Sequence, residues 1–582
     1  MSLIKQDQIS RIFKIEKLGK IGHQLSGGIM NILSIKDINE LYDRHKTTNG
    51  LNFIDAILED LNITIDVSKE DLTKIPKNKP FVLVANHPMG AIDGLILLKI
   101  LLQENPNAKI MANFLLSKIE PIKDYFLEVN PFEKRKEIKS SYSGIKAALQ
   151  QINEGKPLGI FPAGEVSTLS KIWYGSVQDR QWDLSIMKMI KKLNIPVIPL
   201  YFDVKNSPAF YFLASINSNL RTASLPKEII NAKNKVVKLK IGHPISIEQQ
   251  KNCQSPEELR DMLFTRTYFL KNSIVKSQRQ VTERTEENKV KLKSPIADRP
   301  SSLRVQTELN AISNSIIIQS GHYDLYYTPL YNAPSLLKLI GVEREHTFRA
   351  VGEGTQSAMD VDSFDLIYNH LILWDRVNHK LVGAYRLGFG QDLIKGGYGF
   401  EKLYTTTLFK MDGELKSFLS KCIEIGRSFI TKEYQQKPTP LFILWKGLAK
   451  IALQNPQYQY FLGAASISNA YSKVSKSCMV MYLMHYHLDY TIAKYIEPNE
   501  PFIPRLTEGQ QKCILNLGAN HLKEMDKLIS EIDPTSQKMP ILIKKYLSQK
   551  AKVLAVNVDH NFSNSLDVLI YFDCKDIDQR FL

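Results

Sequence analysis

Short apolar runs alternate through the first half of the chain with longer stretches whose apolar residues return every three or four positions. The runs "PFVLVAN" (80–86), "PLGIFPA" (157–163) and "PVIPLYF" (196–202) are rich in β-branched and aromatic residues and predict buried strands. Between them, "DGLILLKILLQE" (93–104) and "SGIKAALQQINEG" (143–155) carry helical spacing, as do residues 35–60. The alternation predicts an α/β sheet whose ligands sit at the strand ends. In the second half, "LVGAYRL" (381–387) alternates as a strand with Arg386 on one face beside Ala384, and "LFILWKGLAKIAL" (441–453) reads as a strand feeding a helix. Near the start, "DQISRIFKIEKLGKIG" (7–22) sets Ile9, Ile12 and Phe13 at helical spacing among Arg11, Lys14, Lys17 and Lys20. It reads as an interfacial helix or as an ordinary surface helix of its own domain.

One composition break interrupts this pattern. The stretch "KNSIVKSQRQVTERTEENKVKLKSPIADRPSS", from Lys271, is charged and poor in large apolar residues. It divides the chain into an expected domain at 1–270, a linker at 271–324 and a second domain at 325–582, with no internal repeat. A length of 582 residues agrees with two cores rather than one. No apolar run approaches the roughly 20 residues of a membrane span. The N-terminus has no signal-peptide centre, and five cysteines form no CxxC pair, so a reducing cytoplasm and no metal are expected. The net charge of +16 favours an acidic partner: nucleic acid, anionic lipid or an acidic protein. Nucleic acid is disfavoured, since the chain shows no zinc finger, no basic region followed by heptads and no RNP-like strand.

The strand run at 81–85 ends in Asn86-His87-Pro88-Met89-Gly90-Ala91-Ile92-Asp93-Gly94. A histidine in a Gly/Pro loop at a strand-to-helix junction titrates near neutral pH, and a carboxylate on its second nitrogen fixes the tautomer. His87 and Asp93 therefore read as a general base and its orienter, the alternative being a simple capping pair. The stretch resembles the first motif of the glycerolipid acyltransferase (PlsC-like) family, Asn-His, four residues, then Asp. "FEKR" (Phe132 to Arg135), "IFPAGEVS" (Ile160 to Ser167) and "IPVIPLYF" resemble the second to fourth motifs in order. The resemblance implies catalysis by His87 and Asp93, with substrate contacts from Arg135, Gly164 and Glu165. Two departures stand out. Five residues, not four, separate His87 from Asp93, so the pair needs a bulged loop. In the third motif Ala163 replaces the usual Glu, Val166 a frequent Arg, and Glu165 comes two places late. Loss of that Arg argues for an acceptor other than a glycerol phosphate.

The second half contains "EREHTFRAVGEGTQSAMDVDSFDLIYNHLILWD", then "KLVGAYRLG" and "CIEIGRSFI". These segments resemble the ornithine N-acyltransferase family and, more distantly, acyl-homoserine-lactone synthases, both variants of the GNAT fold. The corresponding residues are Arg349, Asp360, Asp362, Asp365, Arg386, Glu424 and Arg427. Acidic groups of this kind hold a substrate ammonium and take its proton, the role expected of Glu424, while an Arg forks onto a carboxylate. A splayed strand of the fold supplies a backbone N–H to the thioester oxygen. The alternative is a structural ion-pair network, with Glu424 and Arg427 paired at i, i+3 on a helix.

Together the halves resemble the bifunctional bacterial synthases of ornithine lipids. The resemblance implies that the C-terminal domain N-acylates the amino acid with a 3-hydroxyacyl chain and the N-terminal domain O-acylates the new hydroxyl. It also implies an acyl carrier protein as donor, no further cofactor, and amino acid and lyso-aminolipid as substrates. The expected place is the cytoplasm, peripheral on the inner face of the cytoplasmic membrane. Three rivals are a lysophospholipid acyltransferase with an accessory C-terminal half, a non-enzymatic lipid-binding scaffold, and a glycine-lipid synthase within the favoured class.

Overall fold

The computed structural model describes residues 19–113, 119–129, 139–169, 177–216, 218–274, 294–395, 399–518 and 520–577. Residues 1–18, which hold most of the basic amphipathic stretch, and Arg135 lie outside them. The chain forms two compact units: Met1–Lys276 with Thr507–Ser536, and Ser277–Leu506 with Gln537–Leu582.

The first unit is built on a seven-stranded sheet: β1 (Thr64–Asp66), β2 (Val82–Ala85), β3 (Lys109–Asn113), β4 (Phe126–Val129), β5 (Leu158–Ile160), β6 (Val197–Asp203) and β7 (Val236–Ile241). Their order is β1-β7-β6-β2-β5-β3-β4, with every pair parallel except β6 and β7. The apolar runs are continuous because β2 is buried on both faces. Leu83 and Ala85 pack with Ile92, Ile96 and Leu97 of the helix Ala91–Glu104. Val82 and Val84 pack on the other side with Trp182, Met187 and Ile190. Each such side chain contributes roughly 1.5–3 kcal/mol by leaving water, which pins the central strand and so the loop that follows it.

The second unit is an eight-stranded sheet: β8 (Ile316–Ser320), β9 (Tyr323–Pro329), β10 (Asn369–Asp375), β11 (Lys380–Phe389), β12 (Cys422–Ile430), β13 (Tyr460–Ile467), β14 (Lys552–Asp559) and β15 (Ser565–Asp573). The order is β8-β9-β10-β11-β12-β13-β15-β14. All neighbours are antiparallel except β12 and β13, which run parallel and pair only from Cys422–Glu424 to Tyr460–Leu462. Beyond Glu424 the two strands part. Residues 441–453 are helical throughout, within Pro438–Gln454, and do not begin as a strand. An apolar run of this length fits either element; Pro438 and Pro440 in the first turn favour the helix.

The units depart from the boundaries expected from composition. Lys271–Ile274 closes the first unit as a helix, whereas Ser302–Ala311 and β8 belong to the second. Thr507–Ser536, deep in the second half, folds with the first unit. Its helix His521–Ile532 brings Glu531 to Arg266 at 3.1 Å, both side chains almost fully buried, and Glu531 also accepts from the His243 backbone N–H at 2.5 Å. Gln249 donates to Glu524 at 3.0 Å. No local pattern announces such a return, because an amphipathic helix does not specify what it covers. Removing one partner of a buried pair strands the other charge, so Glu531→Ala should cost about 3–5 kcal/mol. Urea unfolding of the full chain, with amide exchange read at residues 256–269, measures this; a loss under about 1 kcal/mol would contradict the assignment.

Candidate active sites

β2 ends in the middle of the first sheet, so the residues after it emerge at the carboxyl edge of the parallel strands, where such sheets bind ligands. Asn86 sets the exit. Its buried side chain accepts from the Phe202 backbone N–H at 2.7 Å and donates to the Phe202 carbonyl at 3.0 Å, adding one rung between β2 and β6. His87 follows, its ring stacked on Phe161 at 4.1 Å. Its Nδ1 lies 3.3 Å from Asp93 Oδ2, with the imidazole 17% exposed and the carboxylate fully buried. The pair is at ion-pair distance without hydrogen-bond alignment, the loose geometry common before substrate enters.

Asp93 has a second task. Its Oδ2 accepts from the Met89 N–H at 2.6 Å and the Gly90 N–H at 3.1 Å, capping the helix Ala91–Glu104. The loop between His87 and Asp93 turns at Gly90, whose φ of +84° favours glycine. A Cβ there would also press on Leu225 at 3.3 Å and Val166 at 3.4 Å.

The third-motif segment closes on the same loop. Ser167 N–H donates to the His87 carbonyl at 2.8 Å. Gly164, at φ +65°, has open space where a Cβ would stand. Glu165 is paired with Arg221 at 2.5 Å and Arg180 at 3.3 Å. Val166 packs in an apolar cluster with Phe210 and Tyr211. Asp179, which no sequence motif marks, holds the loop from behind. Its Oδ1 accepts from the His87 N–H at 3.1 Å and Ser167 Oγ at 2.5 Å, and its Oδ2 from Trp182 Nε1 at 2.9 Å. Burial pushes its carboxyl above the ordinary range, against the pull of those donors.

In the second unit, β12 and β13 stop pairing after Glu424, and at Gly426 nothing stands within 4 Å of a would-be Cβ on the sheet face. The register of β11 against β12 slips between Ala384 and Arg386, and Arg427 takes a φ of +49°. Its guanidinium meets Asp360 at 3.2 Å and Asp362 at 3.5 Å, donates to Tyr404 Oη at 3.2 Å and lies over the Tyr404 and Phe562 rings. Arg386, fully buried, meets Asp362 at 2.5 Å and Asp365 at 3.3 Å under the rings of Phe364, Tyr368 and Tyr404. Arg344, another residue without a sequence cue, pairs with Asp365 at 2.6 Å. Although burial opposes it, the arginines Arg344 and Arg386 hold the Asp365 carboxyl well below the usual range. The structure thus gathers Asp360, Asp362, Asp365, Arg386 and Arg427 into one layer.

Two expected residues find other partners. Glu424 and Arg427 lie on a strand, not a helix. The buried Glu424 carboxylate accepts from the Tyr368 hydroxyl, the Tyr404 N–H at 2.9 Å and the Thr405 N–H at 2.7 Å, and so anchors the Tyr404–Thr407 turn. Arg349 binds Glu345 at 2.6 Å and the carbonyls of Ser294 and Ser357 at 2.9 and 2.6 Å, which spends its donors on local backbone. Among the described residues no group of His, Cys, Asp and Glu is placed to hold a metal ion, and no helix is long and apolar enough to cross a membrane.

Residues 22–277 match the family described as Acyltransferase, and residues 344–446 match the Acetyltransferase (GNAT) domain. Among curated proteins, the glycine N(alpha)-acyltransferase of Phocaeicola vulgatus is 28% identical over 42% of this chain and 77% of its own length. The lyso-glycine lipid O-acyltransferase of the same organism is 24% identical over 40% of this chain and 81% of its own. That of Bacteroides thetaiotaomicron is 24% identical over 43% and 89%. The chain combines an acyltransferase domain and a GNAT domain, and it is an enzyme, an acyltransferase.

Proposed function

We propose that the chain is a bifunctional aminolipid synthase that builds both acyl linkages of one lipid, with glycine as its head group. The observation that supports this reading is the presence in one chain of two polar clusters of different chemistry. One is a histidine–carboxylate pair suited to a hydroxyl; the other is an Arg/Asp layer beside a strand gap suited to an amino acid. The similar curated proteins carry an N-acyltransferase name and an O-acyltransferase name, both with glycine rather than ornithine. The ornithine head group of the sequence resemblance therefore gives way to glycine as the first substrate to test.

In the first step the amine attacks the carbonyl of a 3-hydroxyacyl thioester; a C–N bond forms, the C–S bond breaks and the thiol leaves. Backbone N–H groups of the parted β12 receive the developing oxyanion. In the second step His87 takes the proton of the 3-hydroxyl, which attacks a second thioester, with Asp93 steadying the imidazolium. The apolar packing of Val166 supports an acceptor with no phosphate at that position. A net charge of +16 suits an acidic acyl carrier protein as donor. A lyso product with one chain stays at a bilayer only reversibly, so the reading places the second step at the cytoplasmic membrane surface.

Expressed in a host that lacks aminolipids, the wild-type chain should yield diacylated glycine lipid by mass spectrometry of extracts. His87→Ala should cut the diacyl product by about 10²-fold or more and let the mono-acyl lipid accumulate. Near-normal diacyl lipid from a folded variant excludes His87 as base. Acylated lysophosphatidate without any amino acid would favour the lysophospholipid rival. For Glu424→Gln the expectation is structural: about 1–3 kcal/mol lost in urea unfolding, with the pH profile of N-acylation unmoved. A large loss of N-acylation restored at higher pH would return Glu424 to the amine.

A further inference from the structure

Not every carboxylate of the second unit is met by a cation among the described residues. Asp360, Asp362 and Asp365 are answered by Arg427, Arg386 and Arg344, and Glu345 by Arg349. Among the described residues, Glu353, Asp559 and Asp567 have no such cation. Asp559 accepts from the Asn561 and Phe562 N–H groups of its own turn. Asp567, 4% exposed, accepts from Ser466 Oγ at 2.8 Å. Arg427, already shared between two aspartates, is the cation whose charge reaches Asp567.

Backbone and hydroxyl bonds bring these groups together. The loop carrying Glu353 is tied to the β14–β15 turn by Ser563 Oγ, which donates to the Gly354 carbonyl at 2.9 Å and accepts from Gln356 Nε2 at 2.9 Å. It is tied to the end of β13 by Ser468 Oγ, which donates to the Val351 carbonyl at 2.5 Å. On β15, Asp567 stands opposite Ser466 of β13 and Asn557 of β14, and Ser565 stands opposite Asp559. Cross-strand partners and alternate residues share a face, so Ser565, Asp567 and Asp559 point to one side of the sheet. Ser565 is fully buried and its Oγ has no hydrogen-bond partner among the described residues. A fully buried hydroxyl without a partner, on the same face as carboxylates without a counter-ion, marks a place for a polar cationic ligand.

We propose that Glu353 and Asp567 receive the ammonium of the amino-acid substrate and take its proton before acyl transfer, with Ser565 as a further contact. The inference rests on the aminolipid reading above. One proton passes from the ammonium to the carboxylate pair. The freed amine then attacks the acyl thioester, the new C–N bond replaces the C–S bond, and the nitrogen's second proton ends on the departing sulfur. Asp559, Arg427 and Tyr404 face Asp567, and Asp567 is the charge that reaches Glu353. Burial and the Asp567 charge push Glu353 up to about 8; burial and Asp559 push Asp567 up to about 7. Such groups ionise close to neutral pH and are stronger bases than an ordinary carboxylate.

The test uses the full chain, glycine and a 3-hydroxyacyl thioester, with N-acyl product measured from pH 6 to 10. The wild-type rate should climb through about pH 7–8. Asp567→Asn and Glu353→Gln should each lower it about 10²-fold at neutral pH, with partial recovery at pH 9–10, where free amine is abundant. O-acylation of synthetic lyso-glycine lipid by the same preparations should match wild type. Should Asp567→Asn lose its near-UV spectrum, Glu353→Gln, on a half-buried loop, carries the test. Variants with wild-type rates and pH profiles overturn the inference alone. A wild-type chain that N-acylates no amino acid overturns the aminolipid reading, and the inference with it.

Discussion

A charge taken out of water without a partner costs several kcal/mol, comparable to the whole net stability of a domain, and this cost arranges both units. In the second unit it stacks three aspartates against three arginines beneath aromatic rings. In the first it joins Arg266 to Glu531 across 265 positions of the sequence. Because paired charges are already satisfied, they scaffold; the groups left over define where a charged ligand can gain most. Glu424 is already met by hydroxyl and backbone donors, which is why the amine-binding role is proposed for Glu353 and Asp567.

The first unit meets a related constraint at a strand end. Where β2 stops, β6 continues, and the exposed backbone has to be satisfied by side chains. Asn86 serves the adjacent strand, Asp93 the next helix and Asp179 the His87 amide. Positioning of the base is thus a by-product of satisfying the chain's own polar groups. The apolar contact of Val166 with Phe210 and Tyr211 then sets the character of the wall beside it.

Much of this was legible along the chain, and what was not has a common cause. Runs such as 81–85 and 197–202 read as strands because a parallel strand buried on both faces has to be continuously apolar. The loop 86–94 declared itself because its residues act on one another locally. Asp179 meets His87 across 92 positions, and Arg344 meets Asp365 from a helix that reads as ordinary. Glu353 and Asp567 share no motif at all; bonds from Ser563 and Ser468 join their neighbourhoods. Residues 441–453 misread at their start because a short apolar run has no decisive period, and Thr507–Ser536 because its partner surface lies far upstream.

The central claim is that two acyl transfers occur in order on one amino acid within this chain. The most direct measurement is a time course with purified full-length protein, an equal mixture of isotopically labelled glycine and ornithine, and 3-hydroxyacyl and acyl thioesters of acyl carrier protein, followed by mass spectrometry. The account predicts mono-N-acyl glycine first, then its O-acylated product, with ornithine left behind. Diacyl product without a preceding mono-acyl amino acid, or acyl transfer only to a lysophospholipid supplied in its place, would contradict it.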